Sequence, residues 1–169
     1  IKFFETYVLG LREEKMEETI ASSTIGNIVH DSLELIYKDY VGKKLKIRDL
    51  EKMKGQINPT VQNIIKNYVR EENIYKGKNI IIVETVKEYV KKVIELDKRT
   101  VEKGNGLKII AVEREFENKI RESGVEYKIK GKIDRIDELN GEVRVIDYKS
   151  GKKLRQRNIT IKESEELTK

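Results

Sequence analysis

The dipeptide Asn140-Gly141, set between two strand-like runs, constrains this chain more than any other feature. Asn-Gly in that setting is the strongest short hairpin signal, because both residues accept the positive φ of a type I′ turn. With Asn140 and Gly141 as the turn, Leu139 pairs with Glu142, Asp137 with Arg144 and Ile136 with Val145. Asp134 then falls opposite Asp147, and Lys132 opposite Lys149. Directly opposed residues share a face, with Cβ atoms about 4.5–5.5 Å apart. Residues two apart on one strand share a face as well. Asp134, Asp147 and Lys149 are therefore expected on one side of the sheet. Facing carboxylates repel, and a hard divalent cation between them removes that cost. Lys149 adds a fixed positive charge beside them. Asp137 with Arg144 reads as a surface pair. Ile136 and Val145 flank the aspartates and predict a partly buried face, where carboxylates need partners. Charged residues make up 39% of the chain, so two aspartates opposed by chance on a solvated face is the competing reading. The geometry favours the metal.

The rest of the chain divides into a helical half and a strand-rich half. Phe4, Tyr7, Val8 and Leu11 recur at helical spacing. Ser22-Ser23-Thr24 is an N-cap cluster opening a helix with Ile25, Val29, Leu33, Ile36 and Tyr40 on one stripe, ended by Gly42. A short helix is expected over Ile47–Met53, and another starting at Pro59 with Val61, Ile64, Ile65, Tyr68 and Val69 inward. A longer helix spans about 80–103, with Val83, Val86, Val90, Val93 and Leu96 inward and Gly104-Asn105-Gly106 as its stop. Residues 107–116, 126–134 and 142–149 read as strands, punctuated by Ser123-Gly124 and Asn140-Gly141. The tail, 152–169, is polar and has no apolar stripe. One domain is the expectation for 169 residues.

Composition excludes several classes. No run approaches the roughly 18 apolar residues of a membrane span. The absence of Cys rules out disulfides, thiolate zinc sites and an iron–sulfur cluster in this stretch. It also fits a reducing, cytoplasmic setting. No signal peptide is present, and a first residue of Ile1 rather than Met reads as an excised piece. The net charge of +6 is mild support for a polyanion partner.

Gly131-Lys132-Ile133-Asp134-Arg135-Ile136-Asp137 and Val145-Ile146-Asp147-Tyr148-Lys149-Ser150-Gly151 resemble the active-site signature of PD-(D/E)XK nucleases, closest to the RecB/AddB-like branch with its G-x-x-D-R-x-D and D-Y-K-[ST]-G motifs. Gly26-Asn27-Ile28-Val29-His30 matches that branch's upstream G-x-x-x-H. The segment Lys2–Leu11 is similar to the stretch preceding it in AddB-like proteins. The resemblance covers about residues 2–151, weakly in the middle helices. The branch's downstream Q-x-x-x-Y is absent, since Gln156 is followed four residues later by Thr160; that the piece is also truncated at its C-terminus is an expectation from the family resemblance alone. The implied fold is α/β: a restriction-endonuclease-like core, a small mixed twisted sheet flanked by helices, and a helical N-terminal half.

The resemblance implies that His30, Asp134 and Asp147 hold Mg²⁺ or Mn²⁺, with the Tyr148 backbone carbonyl as a further ligand. Glu113 or Glu115 would serve near the site; alternation turns both the same way and does not choose between them. Such a metal lowers the pKa of a bound water and polarises the scissile phosphate. Lys149 would orient or help deprotonate that water. Lys132, Arg135, Lys152, Lys153, Arg155 and Arg157 are candidate phosphate contacts, since cations on the backbone supply affinity without a sequence code. The expected function is a metal-dependent deoxyribonuclease acting on a single-stranded or duplex DNA end in recombination and repair, with a helicase domain or subunit as partner. The alternatives are a catalytically silent module that grips DNA or protein, and a structural domain whose facing aspartates are accidental.

Overall fold

A computed structural model describes residues 19–122 and 125–149 of the protein. The expected helix from Phe4, the Ser123-Gly124 turn and the tail from Lys152 lie outside them.

Helix α1, Ser22–Tyr37, starts one residue after the capping Ala21 and buries Ile28, Val29, Leu33, Ile36 and Tyr37. A single 3₁₀ turn, Lys38–Tyr40, extends it. Gly42, at φ 81°, turns the chain away. The segment beyond crosses the first strand: the Gly42 N–H donates to the Ile109 carbonyl and the Leu45 N–H to the Leu107 carbonyl, both at 2.8 Å. That strap ties the end of α1 to the base of the sheet.

Helix α2 runs unbroken over Ile47–Ile65, in place of the expected short helix over Ile47–Met53 and a second one starting at Pro59. Proline removes one helical hydrogen bond and crowds the carbonyl four residues back, at a cost of about 3 kcal/mol. Leu50, Met53, Ile57, Val61 and Ile64 form one buried stripe through the proline. Burying each such side chain contributes about 1.5–3 kcal/mol, so continuity prevails. After the short α3, Glu71–Ile74, helix α4 covers Lys78–Glu102 and packs on α1 and α2. Its buried stripe is Val83, Val86, Val90, Ile94 and Asp97. Leu96, expected inward, is 65% exposed.

The strands are β1, Leu107–Glu122, β2, Val125–Leu139, and β3, Glu142–Ile146, in the order β1-β2-β3. Both pairings are antiparallel, so the expected mixed sheet is not seen among the described residues. Short links account for this: Glu122 pairs with Val125 and Leu139 with Glu142, and a parallel pair needs a crossover of a dozen or more residues. Asn140 and Gly141 both have positive φ, 54° and 95°. The expected register holds through Arg135–Ile146. One feature differs from expectation. Val143 and Val145 are 65% and 67% exposed, so that side of β3 is open rather than partly buried.

The other side carries the main departure from sequence reasoning. Arg135 is 1% exposed and cannot meet a phosphate as expected. Its Nη1 donates to Asp97 Oδ2 of α4 at 2.6 Å, and the guanidinium lies 4.9 Å from the centre of the Tyr37 ring. Its Nη2 is in ionic contact with Asp137 Oδ2 at 2.6 Å. Tyr37 donates to the same Asp97 oxygen at 2.6 Å. Asp137, far from being a surface partner, is fully buried and accepts two hydrogen bonds from Arg144, at 2.8 and 3.1 Å. Two carboxylates and two guanidiniums thus compensate one another where isolated charges would be very costly.

Removing one partner of a buried pair strands the other charge, at about 3–5 kcal/mol. Asp97→Ala is expected to lower unfolding free energy by that order, whereas Leu96→Ser stays within about 0.5 kcal/mol. Urea unfolding of both variants checks this. Burial pushes the Tyr148 phenol up to about 12, against an unfolded value of about 10. The folded chain therefore holds this proton more tightly. That contribution is complete below pH 10 and is lost as pH rises through about 12. Stability measured across that window is expected to fall, and less steeply in Tyr148→Phe.

Candidate metal centre

Residue order places Asp134 on the side of β2 opposite to Arg135. There it meets helix α1. His30, half-buried on α1, has its Nδ1 3.3 Å from Asp134 Oδ1 and 3.4 Å from Glu113 Oε1. Its Nε2 lies 2.9 Å from the Tyr148 carbonyl oxygen. Ligand atoms of His30, Glu113 and Asp134 all fall within 4.8 Å of one another. The Tyr148 N–H donates to Asp134 Oδ2 at 2.5 Å. One residue therefore offers its carbonyl to the histidine and its N–H to the aspartate.

Two irregularities of β1 bring Glu113 here. The pairing register shifts between Ile109 and Ala111, as a bulge does when one strand carries an extra residue. The pairs Val112–Arg135 and Arg114–Ile133 then bracket Glu113 and Asp134 as opposites. Glu113 itself has φ 46°, a left-handed conformation that costs a non-glycine residue about 1–3 kcal/mol. Pairing keeps one register from Ala111 to Glu122, so Glu113 and Glu115 stay on the side of the sheet that carries Asp134 and Lys132. Burial tells the two glutamates apart: the Glu113 side chain is 4% exposed at the site, while Glu115 is exposed. Lys132 Nζ sits 2.6 Å from Glu113 Oε2, and this bond raises the lysine pKa. Lys132, a candidate phosphate contact, thus remains half-exposed but already has an anionic partner.

The same cleft, about 350 Å³, also contains Asp31 and Tyr68, which sequence reasoning missed. Tyr68 donates to Asp31 Oδ2 at 2.5 Å, and burial followed by Asp31 holds its phenol well above the ordinary range. Adjacency to His30 was the available signal for Asp31.

Asp147 falls one residue past the last β2–β3 pair. Its carboxylate is 56% exposed and accepts a hydrogen bond from Lys149 Nζ at 2.7 Å, which raises the lysine pKa. Among the described residues it does not join the His30, Glu113 and Asp134 group. Lys152, Lys153, Arg155 and Arg157 lie outside the described residues.

The donor set fits a hard cation. The Tyr148 carbonyl can only accept, and ionised Glu113 and Asp134 only accept. These acceptors converge around His30, with Lys132 on Glu113 and the Tyr148 N–H on Asp134 as partial compensation, and a cation among them would offset the remaining repulsion. Imidazole with carboxylate and carbonyl oxygens suits Mg²⁺ or Mn²⁺.

An antiparallel sheet packed on helices, with such a donor set in its cleft, makes a candidate divalent-cation site on an α/β scaffold. Residues 1–166 match the family model of the PD-(D/E)XK nuclease superfamily. The chain belongs to that superfamily. It is 30% identical over 165 residues to an ATP-dependent helicase/deoxyribonuclease subunit from Alkaliphilus metalliredigens. It is 28% identical over 164 residues to the protein of the same name from Alkaliphilus oremlandii. Each alignment covers 89% of this chain and 14% of the relative, so the chain spans about one seventh of their length. No solved structure matches it. Among the described residues, no helix is long and apolar enough to cross a membrane.

Calorimetric titration with Mn²⁺ is expected to show one site, weakened about tenfold or more by Asp134→Asn and by Glu113→Gln. Glu115→Gln is expected to bind as the unaltered chain does.

Proposed function

We propose that this chain is a metal-dependent deoxyribonuclease domain that hydrolyses phosphodiester bonds, working in DNA end processing beside a helicase domain or subunit. The observation that carries the reading is the convergence of His30, Glu113 and Asp134 on one cleft, with the Tyr148 carbonyl against the other nitrogen of His30. The helicase partner and the DNA substrate rest on the names of the two relatives.

His30, Glu113 and Asp134 would hold Mg²⁺ or Mn²⁺, with the Tyr148 carbonyl and Asp147 as further ligands. When bound, such an ion activates water and polarises a phosphoryl oxygen. Every other role falls to the chain's own groups. Pairing with Asp147 favours the ammonium form of Lys149. Lys149 therefore serves better as a fixed positive charge, stabilising charge that develops on the phosphate, than as a base. Lys132, half-exposed at the rim, neutralises Glu113 and attracts the phosphate backbone.

Cleavage of single-stranded and duplex DNA with Mg²⁺ or Mn²⁺ tests the proposal. Activity is expected in the unaltered chain, with a loss of about 100-fold or more in Asp134→Ala and in Lys149→Ala. Tight DNA and Mn²⁺ binding with no cleavage, in this chain and in one extended past Lys169, would instead support a silent binding module.

A further inference from the structure

Tyr148 stands between the two charge clusters of this fold and touches both. Its hydroxyl lies 3.5 Å from Arg135 Nη1, the same nitrogen that is bound to Asp97. Its ring meets the His30 ring edge-on, centroids 6.0 Å apart at 77°. Its carbonyl faces His30 Nε2 and its N–H holds Asp134. Among the described residues, no ladder pairing constrains this stretch beyond Ile146. The main chain at Tyr148 therefore takes its position from these contacts rather than from the sheet.

We propose that the Asp97–Arg135 pair, floored by Tyr37, is a positioning device. It fixes the Tyr148 side chain on the helix-packed side, so that the Tyr148 main chain is presented to His30 and Asp134 in the cleft. Asp97, Arg135 and Tyr37 act only through Tyr148 and touch neither cation nor substrate. Three observations favour this over a purely structural role. Arg135 and Asp134 are consecutive, so a shift of one residue moves the other. Asp97 Oδ2 receives both Arg135 and Tyr37, which leaves the guanidinium little freedom to swing away from the phenol. Neighbouring Arg144 makes the control: it binds Asp137 in the same buried cluster yet has no bond to Tyr148 among those described. The consequence for cation affinity rests on the proposed metal site, but the placement of Tyr148 against His30 does not.

The chain has a single histidine, so its imidazole nitrogens give unambiguous NMR signals in the full metal-free chain. Tyr148→Phe keeps the ring and removes only the hydroxyl; Asp97→Asn keeps the volume and weakens the hold on Arg135. Both are expected to shift the His30 Nε2 resonance, whereas Arg144→Gln, matched for its loss of thermal stability, is expected to leave it in place. Mn²⁺ affinity measured on the same samples is expected to fall about tenfold in the first two variants and to be unchanged in the control. An unmoved His30 signal in both Tyr148→Phe and Asp97→Asn overturns the positioning role, as does an equal shift in Arg144→Gln. Absent Mn²⁺ binding in the unaltered chain, with the His30 shifts as expected, overturns the metal site and leaves the positioning role supported.

Discussion

The ion pair between Arg135 and Asp97 joins the two halves of this protein. Asp97 belongs to α4 and Arg135 to the central strand β2. A buried guanidinium without a carboxylate is among the most expensive groups a protein interior can hold. The sheet can therefore pack on the helices only in the register that delivers this pair. Tyr37 adds α1 to the junction through its bond to the same aspartate. Three helices and a sheet could slide over one another as smooth apolar surfaces. The charges do not allow it, and they give the interface a single seat.

That seat has consequences on the reverse of the strand. Alternation along β2 makes Arg135 the inner neighbour of Asp134, and α1 carries Tyr37 two helical turns beyond His30. Seating Arg135 against Tyr37 and Asp97 thus brings Asp134 to His30. The bulge in β1 then supplies Glu113 from the other side. The motif around Asp134 divides accordingly. Asp134 faces the cleft, and Arg135 with Asp137 supports it from behind.

Much of this was legible in the sequence, for identifiable reasons. Asn140-Gly141 admits one tight turn, and from it the β2–β3 register follows by counting. The helical stripes of α1 and most of α4 follow from period alone. Three things were hidden. Pro59 reads as a helix start, but the buried stripe of Met53, Ile57 and Val61 continues through it. Leu96 looks like the next core residue of α4, yet the stripe of Val90 and Ile94 continues to Asp97. A search for apolar residues steps past an aspartate whose burial is repaid by a cation distant in sequence. Glu113 could not be told from Glu115, because both lie on one side of β1 and what distinguishes Glu113 is its buried contact with His30, distant in sequence. The same blindness misplaced Arg135 and Asp137 on the surface.

The central claim is that one cation site forms where His30, Glu113 and Asp134 converge, in front of a buried Arg135. A crystal of the chain grown with Mn²⁺, measured for anomalous scattering, addresses it most directly. The account predicts an anomalous peak bounded by His30, Glu113, Asp134 and the Tyr148 carbonyl, with Arg135 still on Asp97. A well-ordered cleft with no peak there, or Arg135 turned out to solvent, would contradict it.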